Sequence, residues 1–95
     1  MNLGTAIKIL RKERKMSQKD LSIICDISVN ALSQIETNVT FPHKNNINKI
    51  CKALNFPVSY LLFFSISEED IPEHKKIVFN SLSIAIKAVL LDSTK

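Results

Sequence analysis

The sequence predicts an all-α protein, with five short helices in residues 1–65 and one further helix in the tail. Three observations carry that reading. Hydrophobic residues make up 45% of the chain while Gly occurs once and Pro three times, a composition that suits packed helices better than disorder or a turn-rich β fold. Apolar residues recur at three- and four-residue spacing in segment after segment, the period of a helix with one buried face. Hydroxyl residues that cap helix starts stand directly ahead of several of these segments. Ninety-five residues hold one compact domain and a short appended element, which divides the chain into a domain at 1–65 and a C-terminal helical extension at 66–95.

The first element, Asn2 to Lys15, spaces Leu3, Ala6, Ile7 and Leu10 along one face and fills the other from Lys8 onward with cations, an amphipathic helix with a basic outer surface. Ser17 offers a hydroxyl to cap the next helix, and Asp20, three residues on, places a carboxylate where it reaches back to the free backbone donors. This second helix is expected over Gln18 to Cys25, burying Leu21, Ile24 and Cys25. Asp26-Ile27 breaks it. Ser28 then caps a third helix whose Ala31, Leu32 and Ile35 face inward and which ends near Asn38, a residue that tolerates the left-handed conformation common at helix ends.

Phe41-Pro42 marks a loop, and Ile47, Ile50, Cys51 and Leu54 give a fourth helix over Lys44 to Leu54. After Pro57, Ser59 is positioned to cap a short fifth helix over Tyr60 to Phe64, with Leu61 and Leu62 closing the core. The tail opens on Ser67-Glu68-Glu69-Asp70, acids suited to a helix start, and Pro72 is tolerated in a first turn. From Ile77 to Leu91 the pattern is apolar over much of the helix circumference. Val78, Leu82, Ala85, Ile86 and Val89 form one stripe, and Ile77, Ile84, Ala88 and Leu91 add a flank. A helix of that kind is expected to be buried on two sides, against its own domain and against a second copy.

Charge is unevenly spread. Residues 1–64 hold nine Lys/Arg against four Asp/Glu and residues 65–95 hold four against five, giving the net +4 of the chain. A basic N-terminal part fits a module that approaches a polyanion. Cys25 and Cys51 fall within apolar helical patterns with no metal-ligand spacing around them, so they read as buried free thiols of a reducing compartment and no metal or cofactor is expected. His43 and His74 lack partners for catalysis and no glycine-rich phosphate loop is present, which argues against an enzyme. No secretory leader or membrane span is expected, because the N-terminus mixes cations into its first helix and the apolar stretches are short. The chain reads as a cytoplasmic protein.

Residues 17–38 describe two short capped helices joined by a tight turn. This geometry lets the second helix project into the roughly 12 Å major groove while the first braces it across the DNA backbone. The residues Ser17-Gln18, Leu21, Ile27-Ser28, Leu32-Ser33, Ile35-Glu36, Pro42, Ile47, Ile50, Ala53-Leu54 and Leu61-Leu62 resemble the Cro/cI-type, or xenobiotic-response-element, helix-turn-helix family. The likeness spans about Thr5 to Phe63. It implies a five-helix, lambda-repressor-like DNA-binding domain in which Arg11 pairs with Glu36 to tie the third helix to the scaffold, and in which Gln18 holds a phosphate at a helix N-terminus. Two departures stand out: Asp26 and Asn38 occupy positions where the family usually has glycine, and both residue types adopt positive φ.

The outward positions of the third helix, Ser28, Val29, Asn30, Ser33, Gln34 and Thr37, are the candidates for reading bases. The carboxamides of Asn30 and Gln34 match adenine N6 and N7, and Val29 matches a thymine methyl. Gln18, Lys19, Lys44 and Lys49 are the phosphate candidates. Together these imply a transcriptional regulator, expected to be a repressor, acting as a homodimer on a palindromic operator in double-stranded DNA, with Val78, Leu82, Ala85, Ile86 and Val89 as the dimerisation stripe. The alternative is a protein-binding module, such as an antitoxin or adaptor that grips a protein partner with its apolar tail helix. A restriction-modification controller is a third variety of similar size.

Overall fold

The computed structural model describes residues 2–92, among which there are six α-helices and no strand. They are α1 (Leu3–Glu13), α2 (Gln18–Cys25), α3 (Val29–Glu36), α4 (Lys44–Leu54), α5 (Val58–Ser65) and α6 (Lys76–Asp92), with short 3₁₀ turns at Glu68–Asp70 and Glu73–Lys75 ahead of α6. In the core, α1 packs against α5 and α3, and α2 packs against α3 and α4. The buried centre is drawn from all five of these helices: Ile7 and Leu10 of α1, Leu21 and Cys25 of α2, Leu32 of α3, Ile50 and Leu54 of α4, and Leu61 of α5.

Local chemistry sets the helix boundaries. The Ser17 hydroxyl accepts from the Asp20 N–H at 3.0 Å and the Asp20 carboxylate accepts from the Ser17 N–H at 3.2 Å, a reciprocal cap that satisfies two otherwise free donors. Ser28 caps α3 in the simpler way, accepting from Ala31 N–H at 3.0 Å. Lys15, Asp26, Asn38 and Asn55 have φ of 58°, 55°, 63° and 57°. Asp26 and Asn38 thus take the left-handed backbone where the related family has glycine. Asn55 ends α4 in the same way, and Lys15 turns the chain between α1 and α2.

Three sequence expectations need correction. Ile24 was expected in the core but is 59% exposed, and Ser22 is buried in its place. The Ser22 hydroxyl donates to the Lys19 carbonyl at 2.8 Å, so its polarity is satisfied within its own helix and the residue packs as a small apolar one. Leu62 is 43% exposed, while Ser65, bonded to the Leu62 carbonyl at 2.6 Å, is buried. The fifth helix begins at Val58 with Pro57 as its cap residue, so Ser59 lies inside the first turn instead of ahead of it.

The tail helix departs from expectation in orientation. Its Lys76, Asn80 and Lys87 are half-buried and Ser83 is buried, whereas Val78, Leu82, Ala85, Ile86 and Val89 are all exposed. The side turned to the domain is therefore the polar one. Asn80 donates to the Glu68 carboxylate, and the Lys87 ammonium lies over the rings of Phe63 and Phe64, 6.0 and 5.4 Å from their centroids, a cation–π geometry. Phe79 of the same helix is half-buried. Leu91, assigned to the apolar flank, has its side chain outside the described residues.

Candidate nucleic-acid interface

The N-terminus of α2 and the C-terminus of α3 meet at one buried carboxylate. Arg11 Nε donates to Glu36 Oε2 at 2.8 Å and Nη2 donates to Oε1 at 3.0 Å, a bidentate pair with almost no solvent access. Nη1 donates to the Met16 carbonyl at 2.7 Å, so one guanidinium ties α1, the α1–α2 turn and α3 together. Gln18 Nε2 also donates to Glu36 Oε1, at 3.1 Å. The family resemblance implies a phosphate role for Gln18. In the structure its side chain is half-buried and one of its amide hydrogens is engaged by the carboxylate.

A second clamp fixes the chain just past the same end of α3. Asn38 Oδ1 accepts from the Gly4 N–H at 3.0 Å, and Asn38 Nδ2 donates to Thr5 Oγ1 at 3.1 Å. A Cβ at Gly4 would lie 2.0 Å from the Ile35 carbonyl oxygen and 2.8 Å from Asn38 Oδ1, so the only glycine in the chain is what lets α1 reach the end of α3. Thr37 Oγ1 donates back to the Ser33 carbonyl at 2.9 Å, which closes the last turn and occupies that hydroxyl's proton.

With its inner side held, α3 presents its outer side to solvent. Val29, Asn30, Gln34 and Thr37 are exposed and Ser33 is half-buried. Asn30, Gln34 and Thr37 follow one another at four- and three-residue spacing along one line of the helix. Ser28 is exposed too, but its hydroxyl is the cap of α3. Lys19, Lys44 and Lys49 are all exposed. Burial raises the pKa of the Cys25 thiol, and the positive charge of Lys49 partly opposes that shift.

Gln34 shares an open cleft with Thr40, Phe41, Pro42, His43 and Asn46. The start of α4 is thereby brought next to the exposed face of α3. Sequence reasoning missed His43 and Asn46. Their signal was positional, at the cap and in the first turn of α4 just after Pro42, and it becomes informative only when the loop is seen to fold back toward Gln34.

Among the described residues there is no cluster of His, Cys, Asp and Glu suited to a metal ion, and no helix long and apolar enough to cross a membrane. Both cysteines are free and buried.

The family model described as a helix-turn-helix domain matches residues 4–63, covering α1 through α5 up to Phe63. No curated protein matches the chain. The capped α2–α3 pair, the clamped inner side of α3 and this match over nearly two-thirds of the sequence together place the chain in the helix-turn-helix family of DNA-binding proteins, of the Cro/cI type.

Proposed function

We propose that this chain is a sequence-specific regulator of transcription that binds double-stranded DNA as a homodimer, with α3 of each copy in the major groove. The observation that carries the reading is the double fixing of α3. Arg11 and Gln18 hold Glu36 in the last turn of α3 and Gly4 and Thr5 hold Asn38 just past it, while Asn30 and Gln34 stand exposed on the side away from the core and Val29 is exposed on its flank. A helix held at this precision presents polar side chains to a target with little freedom left to lose on binding. Asn30 and Gln34 are the base-reading residues, with Val29, Ser33 and Thr37 at their edges and Ser28 holding the helix start. Lys19, Lys44 and Lys49 contact phosphates, and Gln18 adds its remaining amide hydrogen.

One α3 reads only a few base pairs, so a dimer on a two-fold symmetric site, with half-sites about 34 Å apart, supplies the specificity. The exposed stripe of α6 supplies the dimer contact. Repression is the outcome that needs no further surface, because a bound dimer blocks its site. Two buried free thiols fit the reducing cytoplasm in which such a target resides.

The outward apolar face of α6 also favours a second reading, a protein-binding module that grips a partner other than itself. Selection of bound duplexes from a random library separates the two. A palindromic consensus supports the regulator, and enrichment of no sequence rejects it in favour of the protein-binding module.

A further inference from the structure

The tail helix is polar toward its own domain and apolar toward solvent, and the two stripes are nearly opposite each other. At about 100° per residue, Lys76, Asn80, Ser83 and Lys87 fall within roughly 60° of arc, and Val78, Leu82, Ala85 and Val89 fall within another such arc centred about 160° away. The first set is half-buried or buried. In the second, Val78, Leu82 and Val89 are 62%, 56% and 65% exposed, and Ala85 is exposed as well. Such a stripe on a helix already docked by its other side needs an occupant.

The spacing of the stripe identifies that occupant. Positions 78, 82, 85 and 89 step by four, three and four, the spacing of a two-helix seam, and the sequence of steps reads the same in both directions. A surface with that property is complementary to itself under a two-fold axis perpendicular to the helix. We propose that α6 pairs antiparallel with α6 of a second copy, about an axis between residues 83 and 84, so that Val78 faces the partner's Val89 and Leu82 faces the partner's Ala85. This rests on the dimeric reading above and specifies its contact.

Size favours this arrangement over the parallel one. Antiparallel pairing sets each leucine against an alanine, a large side chain against a small one, in both central layers. Parallel pairing would set Ala85 against Ala85 and leave a void in the seam. Antiparallel neighbours also bring opposite helix dipole ends together. Val78 and Leu82 line an open apolar groove with Ile71, Pro72 and Phe79, and the proposed register delivers the partner's Val89 to it. The groove then adds contact at each end of a seam that one helix face alone would make short.

Cysteine cross-linking of the full chain tests the register. Cys25 and Cys51 are 1% and 4% exposed and do not compete with cysteines placed on the surface. Under mild oxidation, an equimolar mixture of Val78→Cys and Val89→Cys is expected to give a covalent dimer, and each variant alone is expected to give little. Efficient cross-linking of Val78→Cys to itself would overturn the antiparallel register, and a monomeric wild-type chain by sedimentation would overturn the pairing altogether. Leu82→Asp is expected to weaken dimerisation by at least about 30-fold, as truncation of a central contact does, and Ile77→Asp, away from the seam, to leave it within about threefold. An equal loss from both substitutions would contradict the assignment. Duplex titration of the same samples reports DNA binding separately, so a chain that cross-links in this pattern yet binds no DNA leaves the seam standing and rejects the regulator reading alone.

Discussion

Gln18 and Glu36, eighteen positions apart in sequence, are joined by a 3.1 Å hydrogen bond from Nε2 to Oε1, and the same carboxylate holds the Arg11 guanidinium through both of its oxygens. The start of α2 and the end of α3 are therefore locked to α1 at one point. Because the pair has almost no solvent access, removing either partner leaves a buried charge without its counterion. Glu36→Ala and Arg11→Ala are each expected to cost about 3–5 kcal/mol in denaturant unfolding. The double substitution should cost clearly less than the sum, since each single change already destroys the shared interaction.

The Gly4–Asn38 clamp makes a separate prediction. Gly4→Ala places a methyl group against the Ile35 carbonyl, a clash with backbone that no rotamer relieves, and is expected to cost about 1–3 kcal/mol or more. Asn38→Gly keeps the left-handed backbone but loses two hydrogen bonds, and should cost about 1 kcal/mol. Asn38→Val, with a β-branched residue at positive φ, should cost more than the glycine variant. Thermal or denaturant unfolding of the three variants gives the order.

Much of this architecture was legible because capping chemistry is local. Ser17, Asp20 and Ser28 announce the starts of α2 and α3 within a few residues of sequence, and Asp26 and Asn38 announce their ends. Inward and outward assignment failed where polarity was a poor guide to burial. Ser22 and Ser65 are buried because each hydroxyl is satisfied by the carbonyl three residues earlier, which displaced Ile24 and Leu62 outward. In α5 the run from Tyr60 to Phe64 contains no polar residue to mark the solvent side. In sequence Arg14 is one more cation in the run that follows Lys8. In the structure its Nε donates to the Leu54 carbonyl at 2.7 Å and its guanidinium lies 4.2 Å from the Phe56 ring centroid. That is a long-range cap on α4 which periodicity does not encode.

The candidate site was legible as a helix face but not as a cleft. Asn30 and Gln34 follow from the spacing of α3 alone. The approach of His43 and Asn46 to Gln34 depends on how the 38–43 loop returns, which rests on Asn38 and its contacts with α1.

The two classes of DNA contact should separate in salt titrations. Lys44→Ala and Lys49→Ala are expected to weaken binding to all duplexes alike and to lower the magnitude of the salt slope by about 1 each. Asn30→Ala and Gln34→Ala should leave the slope unchanged and reduce discrimination between selected and scrambled duplexes by about 1–3 kcal/mol per residue.

The buried thiols carry a pH signature. Burial raises the pKa of both Cys25 and Cys51 above the ordinary 9.0, partly offset at Cys25 by Lys49. A raised folded-state pKa means that the protonated thiol is favoured by folding. The contribution is therefore intact below pH 9 and declines as pH rises beyond it, where the unfolded chain loses the proton first. Replacing both cysteines with alanine should flatten the fall in stability above pH 9. In the folded chain, thiol reagents should modify Cys25 and Cys51 far more slowly than an exposed thiol at pH 8.

The most direct test of the central claim is a titration of the wild-type chain and its Asn30→Ala, Gln34→Ala double variant against one selected duplex and its scrambled counterpart, at two salt concentrations. The account predicts a large preference of the wild type for the selected duplex that the double variant largely loses, while both proteins keep the same weak, salt-sensitive binding to the scrambled duplex. Equal affinity of the wild type for both duplexes, or a preference that survives the double substitution, would contradict the reading of α3 as the helix that recognises sequence.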